Sequence, residues 1–279
     1  MKKSINAWSV ESSAGFETMF AAVKEAGFDG IELNLDREGA GAHSLTMNTT
    51  PEEIARIAAL TERYGLPVVS ISCSLYGGLT GSPEPEDRKR AQDILLRQIE
   101  LASALGAPGI LSVPSGLSES VSLKIAWENS LATYRGLLGD IEQMGIFVGM
   151  ENVWNRFFTS PFDMVAFIER LGCPYIGAYF DVGNVVAFSE PENWIEILGE
   201  NIGLVHVKDF KRRSGANSGG EWVDLLAGSV DWRKVVPALR NAGFDGYLTA
   251  EVGKSDPDQS YEAFYAMVAE QLSQIINIS

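Results

Sequence analysis

The chain has 279 residues, of which 46% are hydrophobic and 21% charged, an ordinary globular composition on a length that suits a single (β/α)8 barrel. Its formal net charge of −15 repels nucleic acid phosphates and anionic membrane surfaces, so neither a nucleic acid nor a membrane is an expected partner. The opening segment MKKSINAWSVESS lacks the apolar region of a signal peptide, no run approaches a membrane span, and the two cysteines, Cys73 and Cys173, have no metal-type spacing and read as reduced structural thiols, which together predict a cytoplasmic protein.

In chain order, apolar runs of strand length lie near 4–9, 29–35, 67–73, 108–113, 145–151, 176–181, 202–207 and 246–251. Amphipathic stretches follow them near 15–26, 51–64, 85–105, 120–143, 161–171, 190–199, 231–242 and 258–275. Strands separated by helices of this length predict parallel βαβ units. Eight strictly serial units predict closure into a barrel rather than an open doubly wound sheet, with residues 1–279 as one domain. Helix starts are marked by Thr50-Pro51-Glu52-Glu53, Ser160-Pro161 and Glu190-Pro191-Glu192, each with proline at the first helical position. Helix ends are marked by Gly27, Gly65, Gly106, Gly145, Gly172 and Gly243. Residues 24–30 (KEAGFDG) and 240–246 (RNAGFDG) are near copies, the internal echo of a repeated unit. One connection is long and rich in glycine and serine, residues 210–228, and it is a candidate lid on the functional face.

Four of the apolar runs end in a polar, chemically capable side chain: GIFVGME in Glu151, IGAYFD in Asp181, IGLVH in His206 and GYLTAE in Glu251. These would end the fifth to eighth strands, at separations of 30, 25 and 45 residues, about one unit each with the last lengthened by the long loop. In a barrel of this type the C-terminal strand ends converge on one mouth, where active sites are built. Buried carboxylates are costly without a counter-charge, so three of them and an imidazole on consecutive strands predict a shared divalent cation. Three carboxylates and one imidazole suit Mn²⁺, Mg²⁺ or Co²⁺, with Zn²⁺ also compatible. The other histidine, His43, falls in the loop after the second strand and is not expected to be a ligand.

The runs MENVWN, YFDVGN, HVKDF and TAEV resemble the four motifs of the sugar phosphate isomerase/epimerase group of xylose isomerase-like barrels, over nearly the whole chain. They look closest to ketose- and ketose-phosphate 3-epimerase-like members. The resemblance implies that Glu151, Asp181, His206 and Glu251 bind one divalent metal, Mn²⁺ foremost, and that Glu151 and Glu251 also act as the acid/base pair. It implies a sugar or sugar-phosphate substrate, epimerised at C3 through an enediolate after proton removal beside a chelated carbonyl. Family members often dimerise, so a homo-oligomer is compatible with it.

Around the four lie further candidates for substrate contact. Lys208 shares a strand face with His206 and can either pair with a rim carboxylate or stabilise enediolate charge. Arg212 resembles the arginine that contacts substrate hydroxyls in sugar 3-epimerases, and with Lys211 and Arg213 it suits either a phosphate or a solvated charge run. Trp154 can wall the sugar or pack under its loop, and Glu32, ending GIE, can face the pocket or form a structural ion pair. Asn184 stands where free-ketose epimerases commonly carry histidine, and Phe157 and Phe158 where they carry a substrate-contacting glutamate, which separates this chain from those enzymes. The same motifs also fit an inosose dehydratase, a hydroxypyruvate-type isomerase, a C-glycoside-cleaving lyase subunit, or a sugar sensor that kept the fold. An abasic-site endonuclease is disfavoured by two histidines and the acidic charge.

Overall fold

The computed structural model describes residues 1–279 and closes eight parallel strands into a barrel in serial order. These are β1 (Lys2–Asn6), β2 (Gly30–Leu35), β3 (Val68–Cys73), β4 (Gly109–Ser112), β5 (Phe147–Glu151), β6 (Ile176–Asp181), β7 (Ile202–Val207) and, after a two-stranded insertion of β8 (Asp209–Arg212) and β9 (Gly220–Val223), the closing strand β10 (Tyr247–Ala250). β10 pairs with both β7 and β1. The helices are α1 (Phe16–Glu25), α2 (Pro51–Tyr64), α3 (Pro85–Ala104), α4 (Leu123–Arg135), α5 (Leu138–Met144), α6 (Pro161–Leu171), α7 (Val182–Val186), α8 (Pro191–Leu198), α9 (Trp232–Asn241) and α10 (Tyr261–Ile276). No helix is long and apolar enough to cross a membrane.

Local chemistry explains most boundaries. Thr50 and Glu53 form a reciprocal capping box on α2, with Pro51 at the first position, and Gly65 closes the helix at φ 54°. The echoed segments do the same job twice: Gly27 and Gly243, at φ 88° and 82°, end α1 and α9 before β2 and β10. Strands β2, β3 and β6 are buried at every position, as parallel strands covered on both faces must be. Sixty-nine apolar residues form one continuous core between the barrel and its helices. Cys73 and Cys173 are buried and unpaired.

Three segments depart from the sequence expectation. The first run ends as a strand at Asn6, whose side chain accepts the Trp8 N–H and turns Ala7–Ser9 into a 3-10 helix. The stretch 120–143 is two helices, because Gln92 from α3 donates to the Thr133 carbonyl and the ladder restarts beyond Gly136. The 210–228 connection is built around a hairpin, with Phe210 opposite Trp222 across β8 and β9. Asp209 anchors its base by accepting from Val230 N and Trp232 Nε1.

Candidate metal centre

Each barrel strand in the second half of the chain delivers one side chain to the same point. Glu151 and Asp181 end β5 and β6, His206 lies opposite Asp181 across the β6–β7 ladder, and Glu251 follows the last residue of β10. One ligand atom from each lies within 4.8 Å of all the others. His206 Nδ1 is 3.2 Å from Glu151 Oε1, 3.4 Å from Glu251 Oε2 and 4.0 Å from Asp181 Oδ2. Asp181 and His206 side chains are fully buried while Glu251 is 23% exposed, so the cluster opens to solvent on the Glu251 side.

The donor set fits a divalent cation. Asp181 Oδ1 accepts the Asn184 N–H at 2.7 Å, while Oδ2 is buried beside the Lys208 ammonium at 3.0 Å. Three buried or partly buried carboxylates converge there on one ammonium and one imidazole, and the negative charge left over is what a divalent cation would offset. Three oxygen donors and one nitrogen make a mixed, hard site.

Behind the cluster, His206 Nε2 lies 2.6 Å from Glu32 Oε2. With that nitrogen carrying the proton, the Nδ1 lone pair points at the other three groups, the orientation a metal-binding imidazole requires. Of the two readings open for Glu32, a pocket residue or a structural ion pair, the structure holds the ion pair, with His206. Glu32 is fully buried under His206, and its two oxygens also accept from Asn6 Nδ2, Ser70 Oγ and the Tyr179 hydroxyl at 2.5, 2.7 and 2.7 Å. Every acceptor position is filled within the barrel lumen, so Glu32 sets the imidazole and is not free to touch a ligand.

The electrostatics are uneven. Burial pushes the Glu151 carboxyl up to about 7, against the hydrogen bond and charge of His206. Burial also opposes ionisation of Glu251, but Lys208 and His206 outweigh it and hold that carboxyl down at about 2. Asp181 is raised by burial despite Lys208. His206 would be lowered by burial, yet the Glu32 charge carries it well above the ordinary imidazole range. Lys208 Nζ donates to Glu251 Oε2 at 2.5 Å and lies 3.0 Å from Asp181 Oδ2, so of its two expected roles the carboxylate pairing is the one present.

The remaining expected contacts lie in the surrounding frame. Asn184 directs its amide inward to Asn152 O at 3.0 Å, and its own carbonyl accepts the Trp154 Nε1–H at 2.6 Å. Trp154 is 51% exposed, stacked on Trp222 at 5.0 Å and edge-on to Phe210 at 5.5 Å. Arg212 makes a bidentate pair with Glu190, at 2.9 and 3.0 Å, which ties the hairpin to the start of α8 rather than leaving the guanidinium free. Phe157 and Phe158 are buried against Trp127 and Phe167. His43 is occupied by the carbonyls of Ala14 and Ala7 at 2.8 and 3.0 Å, away from the cluster.

One residue of the frame had no individual role in the sequence reading. Asn152 Nδ2 donates to Asp181 O, and its Oδ1 accepts from Asp181 N, both at 2.8 Å. The side chain thus continues the β5–β6 ladder one step past Glu151 and fixes two metal-site residues against each other. Its signals were its place in the run MENVWN and its position directly after the strand-end glutamate.

Two cavities meet at Trp222. One, of about 430 Å³, is lined by Trp8, Lys208, Trp222, Glu251, Lys254 and Ser255. The other, of about 890 Å³, is more apolar and is lined by Trp154, Phe158, Phe188, Phe210 and Trp222 among others.

A family model described as the xylose isomerase-like TIM barrel matches residues 20–273. Among solved structures, 3-keto-D-glucoside 4-epimerase (YcjR) from E. coli superposes with a TM-score of 0.75 at 19% identity, covering 99% of this chain and 98% of that one. D-psicose 3-epimerase from Clostridium cellulolyticum H10, crystallised with D-tagatose, gives 0.77 at 18% identity, with 99% of each chain covered. An L-ribulose 3-epimerase gives 0.79 at 20% identity, covering 99% of this chain and 94% of that one. At these identities the likeness is one of fold. No curated protein sequence matches the chain.

Proposed function

The chain belongs to the xylose isomerase-like TIM barrel family, and we propose that it is a divalent-metal-dependent sugar or sugar-phosphate isomerase/epimerase, acting at C3 of a ketose or ketose phosphate. The observation that carries this reading is the convergence of four ligand atoms, three carboxylate oxygens and one imidazole nitrogen, within 4.8 Å of one another. Glu151, Asp181, His206 and Glu251 are the proposed ligands, for Mn²⁺ foremost and for Mg²⁺, Co²⁺ or Zn²⁺ on the same donors. When bound, such an ion supplies Lewis-acid polarisation of a substrate carbonyl.

The chain's own residues supply the rest. Asp181 and His206 act as ligands alone, the first held by Asn152 and Asn184, the second by Glu32. Glu151 and Glu251 flank His206 Nδ1, from β5 and from the end of β10, with two strands of the ring between them. One takes the proton from the carbon beside the carbonyl and the other returns a proton to the opposite face of the enediolate, which inverts the centre. The direction of reaction sets which does which. Trp154 and Trp222 are proposed to wall the sugar, with the β8–β9 hairpin as the lid that carries Trp222. Arg212 and Asn184 support that wall through Glu190 and Trp154 instead of contacting the sugar. A role in carbohydrate metabolism and a cytoplasmic setting, consistent with two unpaired cysteines, complete the proposal.

The more apolar cavity beside Trp222 favours one second reading, a keto-glycoside whose apolar aglycone would sit there while the same carboxylates remove the proton. A single experiment tests both. Protein loaded with Mn²⁺ is incubated in D₂O with ketoses, ketose phosphates and 3-keto-glycosides, and deuterium is located by NMR. Exchange at C3 supports the epimerase, whereas exchange at C1 or C2 makes it an aldose–ketose isomerase. Release of the aglycone supports the second reading. Absence of any exchange from protein holding stoichiometric metal refutes the enzyme.

A further inference from the structure

Lys208 and a divalent ion need the same oxygens. The ammonium lies 2.5 Å from Glu251 Oε2 and 3.0 Å from Asp181 Oδ2. Those are also the atoms through which Glu251 and Asp181 approach His206 Nδ1, at 3.4 and 4.0 Å. An ion ligated at about 2.1 Å from Glu251 Oε2 stands closer than about 5 Å to an ammonium contacting the same atom. Like charges at that range, in a partly buried site, repel strongly.

The position of this lysine is built into the backbone. A Cβ at Gly183, in α7, would lie 2.4 Å from Lys208 Cγ and 2.7 Å from its carbonyl oxygen, so only glycine leaves room for the stem there. On its other side the ammonium faces the Trp222 ring at 5.6 Å, inside the 430 Å³ cavity. An aromatic face is a favourable seat for a cation moved off its carboxylates.

We propose that Lys208 is an intramolecular competitor of the divalent ion: its ammonium claims Glu251 Oε2 and Asp181 Oδ2, and ion binding displaces it toward Trp222 and the substrate cavity. Lys208 thereby sets the metal affinity, and it presents its charge to substrate only when the ion is in place. This rests on the metal-site reading above.

The test is isothermal titration of Mn²⁺ into chelator-stripped full-length protein, comparing wild type with K208M and K208R, with thermal melts alongside. K208M should bind Mn²⁺ at least about tenfold more tightly, and K208R close to the wild-type value. Stripped K208M should melt below stripped wild type, with the gap shrinking at saturating Mn²⁺. If K208M fails to fold, K208Q takes its place, keeping a polar head without the charge. A folded variant that binds Mn²⁺ with unchanged or weaker affinity overturns the proposal while leaving the metal site standing. Absence of Mn²⁺ binding by wild type and variants alike sinks both.

Discussion

Glu32→Gln is the most informative single perturbation of the site, because it changes one charge and almost no volume beneath a proposed ligand. The Gln carbonyl oxygen can still accept from His206 Nε2 and Asn6 Nδ2, replacing Glu32 Oε2. Its NH₂ then faces Ser70 Oγ and the Tyr179 hydroxyl, which lie 3.2 Å apart and can turn so that one donates to the other. The network survives with weaker bonds, so the expected loss of stability is about 1–3 kcal/mol, the range for degrading buried hydrogen bonds to a charged group. The larger effect falls on the metal. A carboxylate behind a histidine ligand fixes its tautomer and raises its basicity, and losing one typically costs about 10–100-fold in affinity, or roughly 1.4–2.7 kcal/mol. Titration of Mn²⁺ against a chromogenic chelator, on protein whose far-UV circular dichroism matches wild type, reads that loss directly. A folded Glu32→Gln variant with wild-type Mn²⁺ affinity would refute the assignment of His206 as a ligand oriented by Glu32.

Glu251→Gln should abolish deuterium exchange into substrate while some metal binding persists through the other three ligands; metal analysis beside the NMR assay separates these effects, and full exchange would remove Glu251 from the acid/base pair. The metal-free protein should lose stability as pH rises from about 4.5 to 7. Glu151, held up at about 7 against an ordinary 4.5, and His206, held above its ordinary 6.5, keep protons that the unfolded chain releases in that window. Their stabilisation is therefore complete below the unfolded values and is lost with rising pH, by up to about 3 kcal/mol from Glu151 alone. Thermal melts with chelator at pH 5 and pH 7.5 should show the drop, and saturating Mn²⁺ should remove it. Asn152→Ala should cost about 2–4 kcal/mol by leaving the Asp181 N–H and carbonyl unpaired, and should weaken Mn²⁺ binding as well; denaturant melts and metal titration report the two separately. Arg212→Ala should leave metal affinity unchanged but speed tryptic cleavage within 213–219, because the Glu190 pair that ties down the hairpin is gone.

What could be read from the sequence follows from which contacts are local. Glu151, Asp181, His206 and Glu251 were legible because a buried parallel strand reads as an apolar run, and a polar residue ending it falls at the barrel mouth whatever the rest of the chain does. Near-serial spacing then places all four on one arc. The hairpin was hidden by its own turn: glycine and serine between 214 and 220 dominate the composition, while β8 and β9 contribute only four residues each. The pairing of Phe210 with Trp222 becomes visible only once the two strands are in register.

The role of Glu32 was out of reach for a different reason. It is the third residue of β2, and it meets His206 of β7 across 174 positions of sequence through the interior of the closed ring, with β1 and β10 standing between their strands. Side chains fill a barrel lumen in layers drawn from alternating positions on separated strands, so which residues share a layer depends on the stagger of the whole sheet. Asn6, Glu32, Ser70, Tyr179 and His206 form one such polar cluster, joined by hydrogen bonds and drawn from five strands. Asn6, Ser70 and Tyr179, read alone, are ordinary polar residues in or at the end of a strand, and nothing local joins them to Glu32 or His206. Only closure of the barrel turns them into the base on which the imidazole stands, and the orientation of that imidazole decides whether the four strand-end groups can act as one site.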